Sequence, residues 1–258
     1  MAGTKSRFNG GSLNFYDKTH NAAFPVGVWA DCPLLSIATD PSVGFSFFED
    51  FTGPMQGDAT GTTNLDGWTI TQATAGAVSL DATNPGGVLL IDSASTTTAQ
   101  GVNAQATESL VFVPAANKDI WFEARWKIVD TYDKAEIFVG LSATDTSIIA
   151  GADMTAANHI GWECHTDDGV LLFGAEKAGT EATPVSSNTI AEATYVRTGF
   201  KINGITEVEF WVDGAKNSST HVTANIPIVS MCPSFVCHSG GTNDPIMHLD
   251  WVRCVQLR

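Results

Sequence analysis

The sequence predicts an all-β chain: a two-sheet antiparallel jelly-roll sandwich preceded by an extended N-terminal arm. Three observations carry this. In DIWFEARWKIVD (Asp119–Asp130), Ile120, Phe122, Ala124, Trp126 and Ile128 alternate with Trp121, Glu123, Arg125, Lys127 and Val129. Strict alternation is the signature of a strand with one face in a core. Turn-forming pairs, Asp168-Gly169, Asn203-Gly204 and Asp213-Gly214, separate strand-like segments and mark tight hairpins. The composition agrees: 43% hydrophobic against 16% charged residues, with 24 glycines, fills a sizeable core and favours strands and turns over helices.

Taken in order, residues 1–44 read as the arm. Pro25, Pro33 and Pro41 punctuate it, and SRFNGGSLNFYDKTHNAAF (Ser6–Phe24) is aromatic but shows no period, broken at Gly10 and Gly11. Residues 45–258 read as one sandwich domain, an ordinary size for that architecture. VGFSFFEDF (Val43–Phe51) opens the body as a strand. GWTIT (Gly67–Thr71), GGVLLIDS (Gly86–Ser93) and ESLVFVP (Glu108–Pro114) follow as further strands. After Asp119–Asp130, the short polar break before AEIFVGLSA (Ala135–Ala143) suits a hairpin partner. TSIIAGADMTAAN (Thr146–Asn158) has the look of a short helix. Hairpins then follow around Asp168-Gly169, Asn203-Gly204 and Asp213-Gly214, and MCPSFVCHS and IMHLDWVRCVQL close the chain as strands.

The net charge of −15 predicts a self-repelling chain and argues against nucleic acid as a partner. Within residues 1–20, Lys5, Arg7 and Lys18 outnumber Asp17, so a mildly basic arm precedes a strongly acidic body, which suggests different neighbours for the two. No apolar run is long enough to span a bilayer, which argues against a membrane partner. The first residues are polar, without the apolar core of a leader, and the five cysteines, Cys32, Cys164, Cys232, Cys237 and Cys254, are odd in number. Both predict reduced thiols in a protein made in a cytosol. Cys232 and Cys237 with His238 lack a second close pair for zinc. HTDDG and GGTNDP hold oxygens that calcium could use, but both are explained as turns. No metal and no cofactor is expected.

The best acid pair for glycoside hydrolysis is Glu207 and Glu209, on one face of a strand with Asp213 at its turn. A retaining-glucanase strand has the form E-x-D-x-x-E; here the second acid is Glu and position 212 is Val, so the pattern fails. No Gly-x-Ser-x-Gly elbow is present, and Cys237 and His238 would point to opposite faces of a strand. The expectation is no enzymatic activity.

FFEDF, VEFWVDG and the closing LDWVRCVQLR resemble the concanavalin A-like jelly roll. The whole chain is similar to a group of tailed-phage structural proteins, in which an arm of the type RFNGGSLNFYD precedes FFEDF and the chain ends DWVRVVQxR; here the end reads DWVRCVQLR, with Cys254 in place of Val. The resemblance implies a capsid decoration, or cement, protein on the outer capsid surface of a virion, made in the host cytoplasm, held by the major capsid protein and self-associated as a homotrimer. The arm would then bind the capsid through Arg7, Phe8, Leu13, Asn14, Phe15, Tyr16 and Lys18, with the aromatic side chains as anchors. Two alternatives stay open. The arm could wrap its own sandwich or a neighbouring copy. The chain could instead be a carbohydrate-binding, lectin-like module with weak glycan affinity, using Trp121, Trp162 or Trp211 as platforms if they are not core residues.

Overall fold

The computed structural model describes residues 5–9, 12–16, 27–52, 64–73, 75–81, 83–84, 86–98, 100–106, 111–150, 153–164, 169–217, 221–222 and 225–258. In chain order the strands are β1 (Lys5–Asn9), β2 (Ser12–Tyr16), β3 (Gly44–Glu49), β4 (Asn64–Leu65), β5 (Trp68–Ala73), β6 (Ala77–Leu80), β7 (Leu89–Asp92) and β8 (Gln100–Ala106). They continue as β9 (Ile120–Val129), β10 (Ala135–Ser142), β11 (Ile149–Ala150), β12 (Asp153–Met154), β13 (Asn158–Cys164), β14 (Val170–Lys177) and β15 (Thr180–Thr189). The last are β16 (Val196–Asn203), β17 (Glu207–Val212), β18 (Ala215–Lys216), β19 (His221–Val222), β20 (Cys232–Ser239) and β21 (Ile246–Leu257). One α-helix, α1 (Leu34–Thr39), precedes β3.

Two antiparallel sheets form the sandwich. The eight-stranded sheet runs β15-β14-β13-β10-β20-β8-β5-β4. The nine-stranded sheet runs β18-β17-β16-β9-β21-β7-β6, with β19 on β17 and β3 on β21. The core lies between them. The β9 residues predicted to face it, Ile120, Phe122, Ala124, Trp126 and Ile128, are all at most 1% exposed. Phe122 stacks on Phe200 of the neighbouring strand at 4.9 Å, and Phe173 of the opposite sheet stacks on Phe210 at 4.6 Å. Interdigitation of two apolar inner faces closes this architecture. Among the described residues no helix is long and apolar enough to cross a membrane.

Four local expectations are corrected. β9 and β10 are not a hairpin: β9 pairs with β16 and β21, whereas β10 pairs with β13 and β20 of the other sheet. Asp130 and Thr131 take successive left-handed backbone angles (φ 62° and 58°) before a 3₁₀ turn at Tyr132–Lys134, and this corner carries the chain across the core. Thr146–Asn158 is not a helix. It holds the small hairpin β11–β12, because Ile148 and Ile149 pack in extended chain over Phe138 and Val236. Within Glu108–Pro114, residues 111–114 form no strand; Phe112 makes a single bridge to Met231.

The arm is the fourth. It contains the hairpin β1–β2, whose Asn9↔Ser12 closing pair leaves two glycines between the strands. A Gly-Gly pair is a two-residue hairpin loop as well as a breaker. Residues 27–40 lie as a strap on the nine-stranded sheet, where Val28 and Ile37 pack against Trp121, Trp211 and Val255.

Candidate functional site

The predicted arm residues divide by register. Phe8 pairs with Leu13, Arg7 with Asn14 and Ser6 with Phe15. Lys18 lies outside the described residues. Among the described residues β1 and β2 pair with each other, in a two-stranded sheet.

The outer side of β9 was read as the face away from the core, yet Trp121 and Glu123 are buried there, at 2% and 6% exposure. The strap covers them. The Trp121 indole donates to Asp31 Oδ1 at 2.9 Å and Trp29 donates to Glu123 Oε2 at 2.6 Å. Lys201 Nζ of β16 donates to Asp31 Oδ2 at 2.5 Å. Burial raises the Glu123 carboxyl above its ordinary range, against the lowering effect of the Trp29 hydrogen bond. Burial alone would lower Lys201, but the Asp31 hydrogen bond and the Asp31 and Asp119 charges outweigh it and hold Lys201 above its ordinary value. Arg253 lies over the Trp29 ring at 5.3 Å.

None of the three tryptophans is a platform. Trp121 and Trp211 are under the strap. Trp162, 1% exposed, is a core residue set edge-on to Phe173 at 5.1 Å and Phe210 at 5.4 Å. Of the acid pair Glu207 and Glu209, the second is explained by its surroundings. Glu209 is ion-paired to Lys216, and Asp213, at φ 50°, accepts the Arg197 backbone N–H at 2.9 Å within its turn. Asp244 accepts from Ser93 Oγ at 2.7 Å and Ser95 N at 2.9 Å, which commits it to a loop. Asp168 lies outside the described residues. Among the described residues no three His, Cys, Asp or Glu side chains gather as metal ligands. No disulfide joins Cys32, Cys164, Cys232, Cys237 or Cys254, and burial pushes Cys32 up to about 12, far from a reactive thiolate.

Where the strap's charge pair reaches the end of the sandwich, a pocket of about 290 Å³ opens between two turns, lined by Ala116, Asn117, Asp119, Asn203, Gly204, Ile205 and Thr206. One turn precedes β9 and is closed by Lys118 N donating to Ala115 O at 3.1 Å. Asn117 stands at φ 62° at its tip, a conformation asparagine tolerates. The other turn joins β16 to β17. Its Gly204 has φ 61°, and a Cβ there would meet Asn117 N at 3.2 Å, so glycine both allows the turn and lets the two loops approach. Asp119 Oδ2 stands 3.4 Å from Lys201 Nζ, and Ile205 is 41% exposed. The lining thus offers one carboxylate, two amides and an exposed apolar side chain. The hairpin pair Asn203-Gly204 was legible in the sequence; its meeting with Asn117 and Asp119 was not, since eighty or more residues separate them.

Sequence reading also missed a polar group on the outer face of the eight-stranded sheet. Glu136 of β10 lies directly across from His238 of β20, and Glu163 of β13 across from Phe138. Glu136, Glu163, Asn103 and His238 are at most 3% exposed. Gly174 makes room for the Glu163 carboxylate, whose Oε1 lies 2.8 Å from where a Cβ would stand. Burial lowers His238 to about 4. The β10–β13 connection covers this face: Asn103 Nδ2 donates to Thr146 O at 3.0 Å and Gln105 Nε2 to Ala143 O at 3.2 Å. Both acids are buried, Glu136 at 3% and Glu163 at 1% exposure.

No family profile and no curated protein matches the chain by sequence. Solved structures do match in fold. A protein of unknown function from Shewanella oneidensis MR-1 superposes with a TM-score of 0.57 at 14% identity, over 88% of this chain and 94% of that one. Peanut lectin, solved with a nine-residue peptide, gives a TM-score of 0.55 at 12% identity over 83% and 98%. A Bacillus licheniformis beta-glucanase gives 0.55 at 15% identity over 81% and 97%. The fold is the concanavalin A-like sandwich common to lectins and glucanases.

Proposed function

We propose that the protein is a carbohydrate-binding, lectin-like module whose ligand occupies the Asn117–Asp119–Asn203 pocket. The observation that carries this reading is the pocket's lining. A sugar ring presents hydroxyls that both donate and accept, together with apolar C–H faces. Asp119 is an acceptor, the Asn117 and Asn203 amides do both, and exposed Ile205 meets a C–H face. A few convergent polar groups on a small concave surface is the general form of a small-molecule site. The fold, common to lectins and glucanases, supports the reading. It includes no hydrolysis: Glu209 is held by Lys216, and Glu136 and Glu163 are shut from solvent. A glycan array probed with wild type, Asp119→Asn and Asn203→Ala tests it. Binding by wild type that falls at least tenfold in both variants is expected. An empty array, or equal binding by all three, overturns it.

A second reading has its own observation. An isolated two-stranded ribbon is marginal in water, and β1–β2 pairs Phe8 with Leu13 and Ser6 with Phe15. Such a ribbon needs a surface, and the surface that the phage resemblance implies is the major capsid protein, with the decoration protein arranged as a homotrimer. Deleting residues 1–24, which spares the strap, leaves a folded sandwich that no longer occupies purified heads. Full occupancy by the truncated protein, or a monomer in sedimentation and on the particle, overturns this reading.

A further inference from the structure

We propose that Lys201 is a positioning residue that couples the N-terminal strap to the Asp119 pocket, so that docking of the strap strengthens sugar binding; the inference rests on the carbohydrate reading. The Lys201 side chain is 9% exposed and lies between two carboxylates, Asp31 of the strap at 2.5 Å and Asp119 of the pocket at 3.4 Å. One ammonium serves both. Its three N–H groups favour the nearer acid, and Asp31 is fixed there by its second bond, accepting from Trp121 Nε1 at 2.9 Å. While the strap is docked, Asp119 is the longer and weaker partner, and its oxygens keep acceptor capacity for ligand hydroxyls. Without Asp31 the ammonium keeps the Trp121 ring at 5.3 Å and, as its remaining ion-pair partner, Asp119. It moves onto that carboxylate as a short charge-assisted hydrogen bond and competes with the ligand. Lys201 is placed to transmit this because Asn203, another pocket residue, lies two positions along the same strand, on the same side.

Coupling between two sites is reciprocal, which gives one test with sugar and one without. In the first, methyl glycosides of mannose, galactose and glucose are titrated calorimetrically into wild type, Asp31→Asn and Asp31→Glu. Asp31→Asn is expected to weaken the best binder about tenfold, and Asp31→Glu to restore it. Equal affinity in wild type and Asp31→Asn overturns the coupling and leaves the carbohydrate reading standing. In the second, hydrogen exchange of the strap amides of residues 28–37 is compared in wild type and Asp119→Asn without sugar. Asp119→Asn gives the whole ammonium to Asp31, so strap protection is expected to rise severalfold. Unchanged or reduced protection overturns the coupling whether or not a sugar binds. Raised protection with no glycoside bound by wild type upholds the link between strap and pocket and overturns the carbohydrate reading alone.

Discussion

On the nine-stranded sheet, outward-facing Trp121, Glu123 and Lys201 are met by side chains: Asp31 takes Trp121 and Lys201, and Trp29 donates to Glu123. On the eight-stranded sheet, outward-facing Asn103 and Gln105 are met by main-chain carbonyls of Thr146 and Ala143, and Phe138 and Val236 by Ile148 and Ile149. The first cover arrives from the N-terminal segment, remote in sequence from β9 and β16. The second is the direct link between two neighbouring strands, β10 and β13. The strap combines these polar contacts with Val28 and Ile37 packed on Trp121, Trp211 and Val255. The β10–β13 link combines side-chain-to-carbonyl hydrogen bonds with Ile148 and Ile149 packed on Phe138 and Val236. The two covers differ in how far along the chain they come from, not in the kind of contact they make.

The largest effect separates both covers from the core they share. Phe122→Asp places an unpaired charge where exposure is 0%, which costs several kcal/mol or more, comparable to the marginal stability of an ordinary domain. Loss of cooperative unfolding by circular dichroism is expected; a native-like transition would mean that β9 faces the other way.

Next, Val28→Asp acts on the strap alone. Val28 is 1% exposed against Trp121 and Trp211, so a charge there detaches the strap at a cost of about 2–4 kcal/mol. β9 keeps both neighbours, β16 and β21, and the sandwich stays folded. Tryptophan fluorescence shifts to the red while the cooperative transition remains. Global unfolding would show that the strap belongs to the core.

The sealed face answers to pH. His238 has its pKa lowered from 6.5 to about 4 by burial, so in acid the unfolded chain binds a proton that the folded chain refuses. Stability is then fully present above about pH 6.5 and is lost as pH falls toward 4, by about 2–3 kcal/mol. Glu136 lies directly across the ladder from His238. Denaturant unfolding at pH 7 and pH 4.5 measures the slope, and His238→Gln should remove this part of it. An equal slope in both proteins would place His238 in water.

The smallest effect concerns the acids first singled out. Glu209 and Lys216 have side chains 21% and 48% exposed, and such a pair contributes about 0.2–1 kcal/mol. Glu209→Gln is expected to change stability by no more than that and to leave glycan binding intact. Loss of binding would move the site onto β17.

Alternation alone determined the inner face of β9, and Asn203-Gly204 and Asp213-Gly214 determined two hairpins, because period two and left-handed turn geometry are local properties of the backbone. Alternation could not tell what covers the outer side. Trp121 and Glu123 read as residues facing away from the core, and only a strap some ninety positions earlier in the chain buries them. Nor could local pattern tell which sheet a strand joins: Asp130 and Thr131 direct β10 across the core rather than back beside β9. The pocket is decided at the same level. Asn117, Asp119 and Asn203 become one site only because Gly204 lets two distant turns approach within van der Waals contact, and Lys201 joins it to Asp31 only because the strap lies on β16. Packing between segments far apart in the chain is a property of the closed sandwich, and no window of sequence contains it.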